Sequence, residues 1–539
     1  MVNRVKKINI FLYMIIAFGI FLRIAFITRF PAGLNCDEAS SAYEAYSILN
    51  TLHDRNGYLL PVYLLSWGSG QNALLTYLSI PFVKFLGLNV LATRLPMALI
   101  SSISIIIFYT LILLLNDDDV DSRSTYILFA VLFFVLNPWH IMKSRWALES
   151  NLLPDLVLFG VYFIIKFIKV RKEVFLYTGF AIFSLSAYAY STSFLALTLF
   201  TMMFFVYCLL KKYVNIKMIV ITTLIVLLIT WPLILFIIIN FFDLKEINLA
   251  FLSIPKLRVN RLFRESTVNN ANIFMTLLRN FISEIKFMIM QDDGIYWNGI
   301  KGIGINYLFS FPFFVVGIFK YLKDIIDNRI NDRKDIMFMW FISGFIMCLF
   351  LKDININRAN YMIIPLIYFV IEGFKVLISA KYIKCLPFIA LIFGFIVFSY
   401  KYIDFNLKKE KGILINKYNT SEIDCFVYGF DTLIPYLDNR KDFSNINLGF
   451  VVNEPHIYVL YYTKYDPRKF ILESELINKN RSFNNIKKFG KWNFEMPKYL
   501  LKDESAAYVF DVSKRHLINE NEFRVIDFNN YIIVNYRGD

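Results

Sequence analysis

The stretch "FPAGLNCDEASSAYEAYSILNTLHDRNG" runs from Phe30 to Gly57 and follows an almost purely apolar segment. It places two adjacent carboxylates, Asp37 and Glu38, just past the end of that segment, and a third acid, Asp54, follows in the same stretch. Acidic residues near a helix end often belong to a solvated loop and nothing more. Whether these three acids carry a function therefore depends on the rest of the chain.

The composition is that of a polytopic membrane protein. Of the 539 residues, 57% are hydrophobic and only 18% are charged, and the mean hydropathy is +0.52. A soluble chain of this length needs far more polar surface. The formal net charge is +15, but the basic residues form no compact block of the kind that binds nucleic acid, so we expect no nucleic-acid partner. We expect them instead in loops that orient helices and contact anionic lipid.

Cysteine usage and the amino terminus add two exclusions. The five cysteines show no paired spacing, and the sequence contains neither a CxxC nor an HExxH motif. The first apolar segment follows three basic residues and lacks a small-x-small cleavage site before the acidic stretch. We therefore expect a retained first helix and not a signal peptide.

Apolar runs predict the membrane topology. A spanning helix needs about 20 mostly apolar residues, and about eleven segments qualify. Their approximate bounds are 8–30, 94–115, 124–138, 152–168, 174–192, 194–210, 217–241, 303–320, 335–351, 361–380 and 385–402. The sequence thus predicts an α-helical polytopic membrane protein with about 11 transmembrane helices.

The basic loops predict that the amino terminus is cytoplasmic. With that orientation, four inside loops carry basic clusters, beginning at Lys166, Lys211, Lys320 and Lys381. The apolar segment Ala73–Gly87 is short and carries a lysine, so we interpret it as an interfacial helix that does not span. Outward-facing regions are then the loop 31–93, the segment around 139–151, the stretch 242–302 and the tail 403–539.

The tail forms a separate domain in this interpretation. Hydropathy falls after Tyr402, and short alternating runs follow at Cys425, His456 and Ala506. The carboxy-terminal run reads as two strands joined at Asn529-Asn530. We therefore divide the chain into a transmembrane domain, 1–402, and a small extracytoplasmic α/β domain, 403–539.

Two further outward clusters contain acids. In "NPWHIMKSRWALESNLLPD", a helix that continued after Pro138 would put Arg145 and Glu149 four residues apart on one face. A simple salt bridge within that helix would explain the pair equally well. The pair Asp292-Asp293 precedes a glycine and is typical of a turn.

Together these clusters resemble a known family. The loop "CDEASSAYEAYSILNTLHDRNGYLLPVY", the following "LLTYLSIPFVKFLGLNVLATRLPMALIS" and the later "SRWALES" are similar to motifs of the GT-C superfamily of polyprenyl-phosphate-sugar glycosyltransferases. The similar branch contains protein O-mannosyltransferases and aminoarabinose transferases of lipid A (glycosyltransferase family 39-like). The resemblance covers roughly residues 1–400 and is densest in 30–155. The family's second motif more often ends in Asp, where this chain has Glu149.

The resemblance implies a GT-C fold and an inverting transfer of a sugar from a polyprenyl-phosphate donor to an acceptor hydroxyl at the extracytoplasmic face. The acceptor would belong to a protein, a lipid or a wall polymer. Asp37 would be the catalytic base, and Glu38 would orient the acceptor or the loop. A guanidinium would stabilise the leaving phosphate, with Arg145 as the first candidate and Arg94 and Arg358 behind it.

The remaining candidates have weaker roles. Glu149 and Asp54 would help to position the donor phosphate or the acceptor. Arg358 could equally anchor a turn among lipid headgroups, and headgroup contact is also the interpretation of the basic stretch at Arg258, Arg261 and Arg264. His53 and His140 are lone histidines. Some GT-C relatives use a divalent metal, whereas this branch generally does not depend on one, so we expect no metal or other cofactor.

Three other classes of protein fit parts of the pattern. A transporter would also be polytopic, but it should carry ionisable residues in mid-helix and broken helices in repeated halves. A glycan polymerase or ligase would use a diphosphate-linked lipid glycan and transfer a whole chain. A wall-binding protein would use its membrane part only as an anchor, for which so many helices are excessive.

Overall fold

The computed structural model describes residues 2–66, 70–116, 120–257, 272–327, 329, 331–352, 354–379, 382–411, 426–449, 452–477 and 486–538. Arg258, Arg261, Arg264 and Cys425, discussed above, lie outside the described residues. The chain divides into two compact units. The helical unit comprises Met1–Ala25, Met97–Ile234 and Arg261–Tyr402, and the mixed unit comprises Phe26–Pro96, Leu235–Asn260 and Ile403–Asp539.

Helices account for most of the secondary structure. In chain order, the described α-helices are α1 (Val2–Ile24), α2 (Cys36–Thr51), α3 (Leu74–Leu86), α4 (Val90–Leu115), α5 (Val120–Val135), α6 (Pro138–Ser144), α7 (Glu149–Val170), α8 (Glu173–Ser186), α9 (Ser193–Leu210), α10 (Ile216–Phe241), α11 (Ile273–Met290), α12 (Phe311–Ile326), α13 (Asp332–Leu349), α14 (Ile356–Ile378), α15 (Leu386–Glu410), α16 (Phe430–Asn439), α17 (Pro455–Thr463) and α18 (Pro467–Glu473). Short 3₁₀ helices cover Leu308–Ser310 and Val512–Leu517.

The strands are short except near the carboxy terminus. They are β1 (Leu34–Asn35), β2 (Tyr63–Leu64), β3 (Gln71–Asn72), β4 (Ile247–Asn248), β5 (Ser253–Ile254), β6 (Phe426–Val427), β7 (Asn445–Asn447), β8 (Glu475–Leu476), β9 (Ile486–Phe489), β10 (Trp492–Asn493), β11 (Ala506–Asp511), β12 (Phe523–Phe528) and β13 (Tyr531–Tyr536).

Six helices of the described chain are long and apolar enough to cross a membrane: α4, α7, α9, α10, α14 and α15. A seventh span results if Ser124–Val135 and Pro138–Ser144, which meet at a bend of 48°, count as one. The expected count of about eleven is therefore not confirmed. Several of the expected spans fall in helices too short for the bilayer, such as α8 with 14 residues.

Helix α14 is the most deeply packed span of the helical unit. It packs against α5, α7, α12 and α13, and 83% of its apolar window is buried. Gly317 of α12 and Gly373 of α14 allow the two backbones to touch, since a Cβ at Gly317 would overlap the carbonyl oxygen of Phe369. Such small residues at the crossing are the usual means of close helix packing in membranes.

The mixed unit contains a seven-stranded sheet in the order β12-β13-β11-β7-β10-β9-β8. Strand β7 runs parallel to both β11 and β10, and the other neighbours pair antiparallel. The hairpin expected at Asn529-Asn530 is confirmed, because β12 and β13 pair with Phe528 opposite Tyr531. Asn529 adopts the left-handed conformation (φ 52°) that such a tight turn requires.

Helix α2 from the first loop lies inside the hydrophobic core of the tail. Ala39, Ala42 and Tyr43 are at most 1% exposed and pack in one cluster with buried residues of the tail. The tail members of the cluster include Phe430, Leu433, Ile457, Tyr458, Phe489 and Trp492. Burying each large side chain stabilises the fold by about 1.5–3 kcal/mol, so the first loop and the tail are held together as one unit.

Two sequence expectations differ from this structure. The run at His456 was expected as an alternating strand-like segment, but Pro455–Thr463 is the helix α17. Its residues Pro455 to Tyr461 are all buried, and a run buried on every side carries no periodicity that separates helix from strand. The domain division also differs, because the mixed unit joins Phe26–Pro96 to the tail across more than 300 intervening residues.

Gly33 fixes the junction between the first loop and the tail. Strands β1 and β6 pair antiparallel, with Leu34 opposite Val427. Gly33 has a φ of +86°, and a Cβ there would lie 2.7 Å from the backbone carbon of Val427. Only glycine satisfies both the left-handed backbone and the close approach of the second chain segment.

We predict that Gly33→Ala destabilises the protein by about 1–3 kcal/mol more than Gly57→Ala does. Gly57 has a similar φ of +89° but nothing within 4 Å of an added Cβ, so it reports the left-handed strain alone, about 1–2 kcal/mol. Thermal unfolding of the two purified full-length variants measures the difference. Equal melting temperatures would show that β1 and β6 do not depend on the close approach at Gly33.

Candidate active site

A buried ion pair holds the acidic stretch of the first loop. Glu38 and Arg94 are both 0% exposed, and the Arg94 Nε and Nη2 atoms each donate to one Glu38 carboxylate oxygen at 2.9 Å. The remaining Arg94 N–H groups donate to the carbonyl oxygens of Ile27, Pro31 and Gly33. All five guanidinium N–H groups therefore have acceptors in the chain segment that leads to Asp37.

Glu38 also closes the amino-terminal end of α2. The Asn35 side chain accepts the backbone N–H of Asp37 at 2.8 Å, and the Glu38 carboxylate accepts the backbone N–H of Asn35 at 3.1 Å. This reciprocal arrangement is a capping box. It gives Glu38 and Arg94 a positioning role, since their polar atoms are used inside the protein.

Asp37 occupies the first turn of α2 and is half-buried between buried neighbours on both sides. The free backbone N–H groups and the dipole at a helix amino terminus stabilise a negative charge at such a position. Asp37 thus combines partial access to solvent with a position at the amino-terminal end of a helix. Those are the properties required of a base that meets a substrate.

Arg55 and Glu44, which the sequence analysis missed, form a second buried pair beside α2. The Arg55 Nε lies 3.2 Å from the Glu44 carboxylate, and its Nη1 and Nη2 atoms donate to the hydroxyls of Ser40 and Ser66. Glu44 lies two helical turns after Asp37, and this spacing could have indicated a polar face on α2. Burial raises the pKa of Glu44 to about 8 despite the Arg55 charge.

Asp54 shapes the turn that carries Arg55. One of its carboxylate oxygens accepts the backbone N–H groups of Asn56 and Tyr58 at 2.9 and 2.8 Å, while the other has no hydrogen-bond partner among the described residues. Burial raises the pKa of Asp54 to about 6. These hydrogen bonds form an Asx turn, which supports a positioning role for Asp54.

The tail contributes two titratable groups to the surroundings of Asp37. Glu454 and His456 lie at the start of α17, with the Glu454 carboxylate 3.5 Å from the His456 Nδ1. Burial, together with the charge of Asp37, raises the pKa of Glu454 to about 7, and the charge of Arg55 opposes this shift. Burial and the Arg55 charge hold the pKa of His456 well below its usual range, so this imidazole is neutral. Neither residue was expected at the site, because no motif or spacing links residues 454 and 456 to the first loop.

Arg145 and Glu149 are not on one helix face, which corrects the expected i,i+4 arrangement. Helix α6 ends at Ser144, and α7 begins at Glu149 after a short break. Arg145 is 5% exposed, and its guanidinium donates to the carbonyl oxygens of Leu22 and Ala25. Arginine at such a position stabilises the carboxy-terminal end of a helix, here α1.

A network of buried charged and polar side chains lies in the helical unit. His140 belongs to this network, which was not expected from the sequence. Arg23 donates to the His140 Nδ1 at 2.8 Å, so that nitrogen is the acceptor and Nε2 carries the proton toward Asp155 at 3.2 Å. Asp155 also accepts from Lys143 at 2.5 Å and from Ser101 at 2.7 Å. All five residues are buried, and the most exposed of them, Lys143, is only 2% exposed. The network ties α1, α4, α6 and α7 together.

The remaining predicted residues lie elsewhere in the helical unit. Arg358 is half-buried in the first turn of α14. The acidic pair forms the expected turn, because the backbone N–H groups of Gly294 and Ile295 donate to Asp292 and Asp293 respectively. Asp293 also accepts the backbone N–H of Ile356 at 2.8 Å. These carboxylates organise the turn at residues 292–295, and Asp293 joins this turn to the first residue of α14.

No group of three or more His, Cys, Asp or Glu side chains within the described ranges is arranged to hold a metal ion. The carboxylates around Asp37 are instead paired with Arg55, Arg94 and backbone N–H groups.

Comparison with solved structures defines the fold class. ArnT from Cupriavidus metallidurans bound to undecaprenyl phosphate is similar over 97% of both chains, with a TM-score of 0.53 and 10% identity. Its apo structure gives a TM-score of 0.52 and 11% identity over the same shares. The apo oligosaccharyltransferase of Archaeoglobus fulgidus gives 0.50 and 11% identity over 84% of this chain and 63% of that chain.

The chain therefore shares the fold of these proteins, and the GT-C fold expected from the sequence is confirmed at the level of the fold. No family model matches the chain. No curated protein matches it either.

We predict that breaking the Arg94–Glu38 pair on one side, by Arg94→Met or Glu38→Gln, lowers the free energy of unfolding by about 3–5 kcal/mol, because it leaves a buried polar group without its partner. The matched control is Lys488→Met, which breaks the exposed Lys488–Glu475 pair (3.1 Å) and should cost less than about 1 kcal/mol. Thermal unfolding of the full chain in detergent ranks the variants. Equal effects of the buried and exposed pairs would contradict the positioning role.

Proposed function

We propose that the protein is a membrane glycosyltransferase that moves a sugar from a polyprenyl-phosphate carrier to an acceptor hydroxyl at the extracytoplasmic face, with Asp37 as the base. The observation that carries the proposal is the half-buried Asp37 carboxylate, held in the first turn of α2 by the buried Arg94–Glu38 pair in a chain with the GT-C fold. The acceptor belongs to a protein, a lipid or a wall polymer.

The proposed reaction is a single displacement. The acceptor oxygen forms a bond to the anomeric carbon from the face opposite the phosphate, and its proton passes to the Asp37 carboxylate. The bond between the anomeric carbon and the phosphate oxygen breaks, and its electron pair leaves with the polyprenyl phosphate. Attack from the opposite face inverts the anomeric centre.

The lipid carrier accounts for the apolar part of the chain. A polyisoprenoid tail must remain in the bilayer while its phosphate reaches the surface, so an enzyme for this donor needs spanning helices beside a polar site. The six described spans and the ArnT structure bound to undecaprenyl phosphate support this choice of donor.

The other predicted residues have these roles in the proposal. Glu38, Arg94 and Asp54 position the loop that carries Asp37, as their internal hydrogen bonds support. Binding of the leaving phosphate by Arg145, and the contributions of Glu149 and Arg358, remain predictions. No cofactor is included in the mechanism.

A transporter is the second candidate, and one observation favours it. Arg23, His140, Lys143 and Asp155 are ionisable and buried in the helical unit, and such residues in membrane helices often line ion pathways. In this chain, however, Asp155 accepts from Lys143, His140 and Ser101 at once. That saturated arrangement is better suited to joining four helices than to passing ions.

A polymerase or ligase acting on a diphosphate-linked glycan would transfer a whole chain and not one sugar.

We predict that Asp37→Asn reduces product at least about 100-fold, the usual contribution of a general base. Mass spectrometry of surface glycans compares the host strain, a deletion strain and deletion strains complemented with each variant at matched expression. Asp431→Asn is the control, since Asp431 occupies the same second position in α16 and is exposed.

Loss of one defined sugar in both the deletion and the Asp37→Asn strain supports the proposal and names the product. Loss in the deletion strain alone would retain the enzyme and remove Asp37 from the role of base. An unchanged glycan profile in every strain would contradict the transferase and favour the transporter.

We also predict the orientation of the site. In a cysteine-free background, Asn56→Cys and Lys488→Cys should react with a membrane-impermeant maleimide on intact cells, because both positions are exposed and expected outside. A further variant that keeps the exposed native Cys385 as its single cysteine should react only after permeabilisation. The opposite pattern would place Asp37 in the cytoplasm and contradict the proposed site of reaction.

A further inference from the structure

Glu454 is a glutamate in a backbone conformation that glutamate disfavours. It has φ 50° and ψ 56°, directly before Pro455 and the rest of α17. Left-handed conformations cost free energy for a residue with a Cβ, and they persist where the surrounding structure imposes them. The side chain gains no compensating helix cap, because it accepts no hydrogen bond from the backbone N–H groups of α17.

The Glu454 carboxylate is buried beside an imidazole. The residue is 9% exposed, and its nearest described ion-pair partner is the His456 Nδ1 at 3.5 Å. His456 is neutral at ordinary pH, since its pKa is held well below the usual range. Burial of an acid beside a neutral imidazole costs free energy that this contact does not return. Neither a contribution to fold stability nor helix capping therefore explains why a glutamate occupies position 454.

Helix packing brings Glu454 to the site of Asp37. The Cys36 Sγ, one residue before Asp37, lies 4.0 Å from the Asn453 Nδ2, one residue before Glu454. Further along α2, the Tyr43 hydroxyl donates at 2.8 Å to the carbonyl oxygen of Tyr465, which lies just past the carboxy-terminal end of α17. Helices α2 and α17 thus pack with their amino-terminal ends together.

The charges around Glu454 come from three elements. Asp37 lies on α2, Arg55 lies in the turn after α2, and His456 lies on α17 itself. The negative charge of Asp37 favours the protonated form of Glu454, and the positive charge of Arg55 favours the ionised form. Two carboxyl groups of this kind in one site commonly separate into a base and a second titrating group.

We propose that Glu454 binds the acceptor: its carboxylate accepts a hydrogen bond from a second donor group adjacent to the hydroxyl that Asp37 deprotonates. The inference rests on the proposed function and narrows the acceptor to a molecule with neighbouring hydroxyls, as in a sugar. The tail then has a part in the reaction, because it supplies the second carboxylate.

The test uses the conformation of Glu454 to separate function from stability. Glu454→Gly removes the carboxylate and the left-handed strain together, so the melting temperature should stay equal or rise by a few degrees (about 1–4 °C). Product in complemented deletion strains should fall at least about tenfold, the loss expected when a charged hydrogen bond to a substrate is removed. Lys464→Gly is the matched control, since Lys464 ends the same helix with φ 51° and ψ 44°. It should match the stability change and leave product at the wild-type level.

A pH profile distinguishes acceptor binding from an indirect effect on folding. Purified full-length protein is mixed with membranes of the deletion strain, which hold the natural donor and acceptor, and product is measured from pH 5.5 to 8.5, a range of about three units around the Glu454 titration. The wild-type rate at limiting acceptor should rise with pH through about 7, where Glu454 ionises. Glu454→Gln keeps the shape of the side chain, and this rise should be absent from its profile.

The outcomes separate this inference from the proposed function. Wild-type product and an unchanged pH profile in both Glu454 variants, with product lost in Asp37→Asn, would overturn the role of Glu454 and leave the transferase standing. Wild-type product in Asp37→Asn and in both Glu454 variants would overturn the role of Glu454 and the role of Asp37 as base, and only an unchanged glycan profile in the deletion strain would overturn the transferase. A lowered melting temperature in Glu454→Gly would also contradict the inference, since the carboxylate would then be a structural group.

Discussion

The buried ion pair between Arg94 and Glu38 is the interaction on which the candidate site depends. A guanidinium fully removed from water is stable only when its N–H groups find acceptors, and here two go to one carboxylate and three to the carbonyl oxygens of Ile27, Pro31 and Gly33. The same carboxylate caps α2. One charge pair therefore fixes both the path of the chain after the first apolar segment and the direction of the helix that presents Asp37.

The second constraint is the shared core of the first loop and the tail. Helix α2 buries Ala39, Ala42 and Tyr43 among side chains of the sheet and helices that follow residue 426, and β1 pairs with β6. The acidic stretch of the first loop is consequently no free loop but an interior element of a mixed α/β unit. Because of this packing, the Asp37 carboxylate has charged groups near it that include Arg55 and Glu454.

The features that depend on neighbours in sequence were predictable, and those that depend on distant packing were not. The Asn529-Asn530 hairpin and the turn at Asp292-Asp293 follow from local backbone preferences, and the structure contains both. The break in the helix between Ser144 and Glu149 was not predicted, because tertiary contacts override the local helical pattern. The approach of Asn453 to Cys36 joins residues 417 positions apart, and no spacing rule reaches so far. Asp37 itself was proposed as the base through a family resemblance and not through geometry.

Donor consumption by the purified protein is the most direct test of a transferase with Asp37 as its base. The full chain, reconstituted in nanodiscs, is given a panel of undecaprenyl-phosphate-linked monosaccharides with membranes of the deletion strain as the source of acceptor, and released undecaprenyl phosphate is quantified. We expect the wild-type protein to release undecaprenyl phosphate from one donor of the panel, and Asp37→Asn to reduce that release at least about 100-fold. Equal release by both proteins would contradict the role of Asp37, and no release from any donor would contradict the transferase.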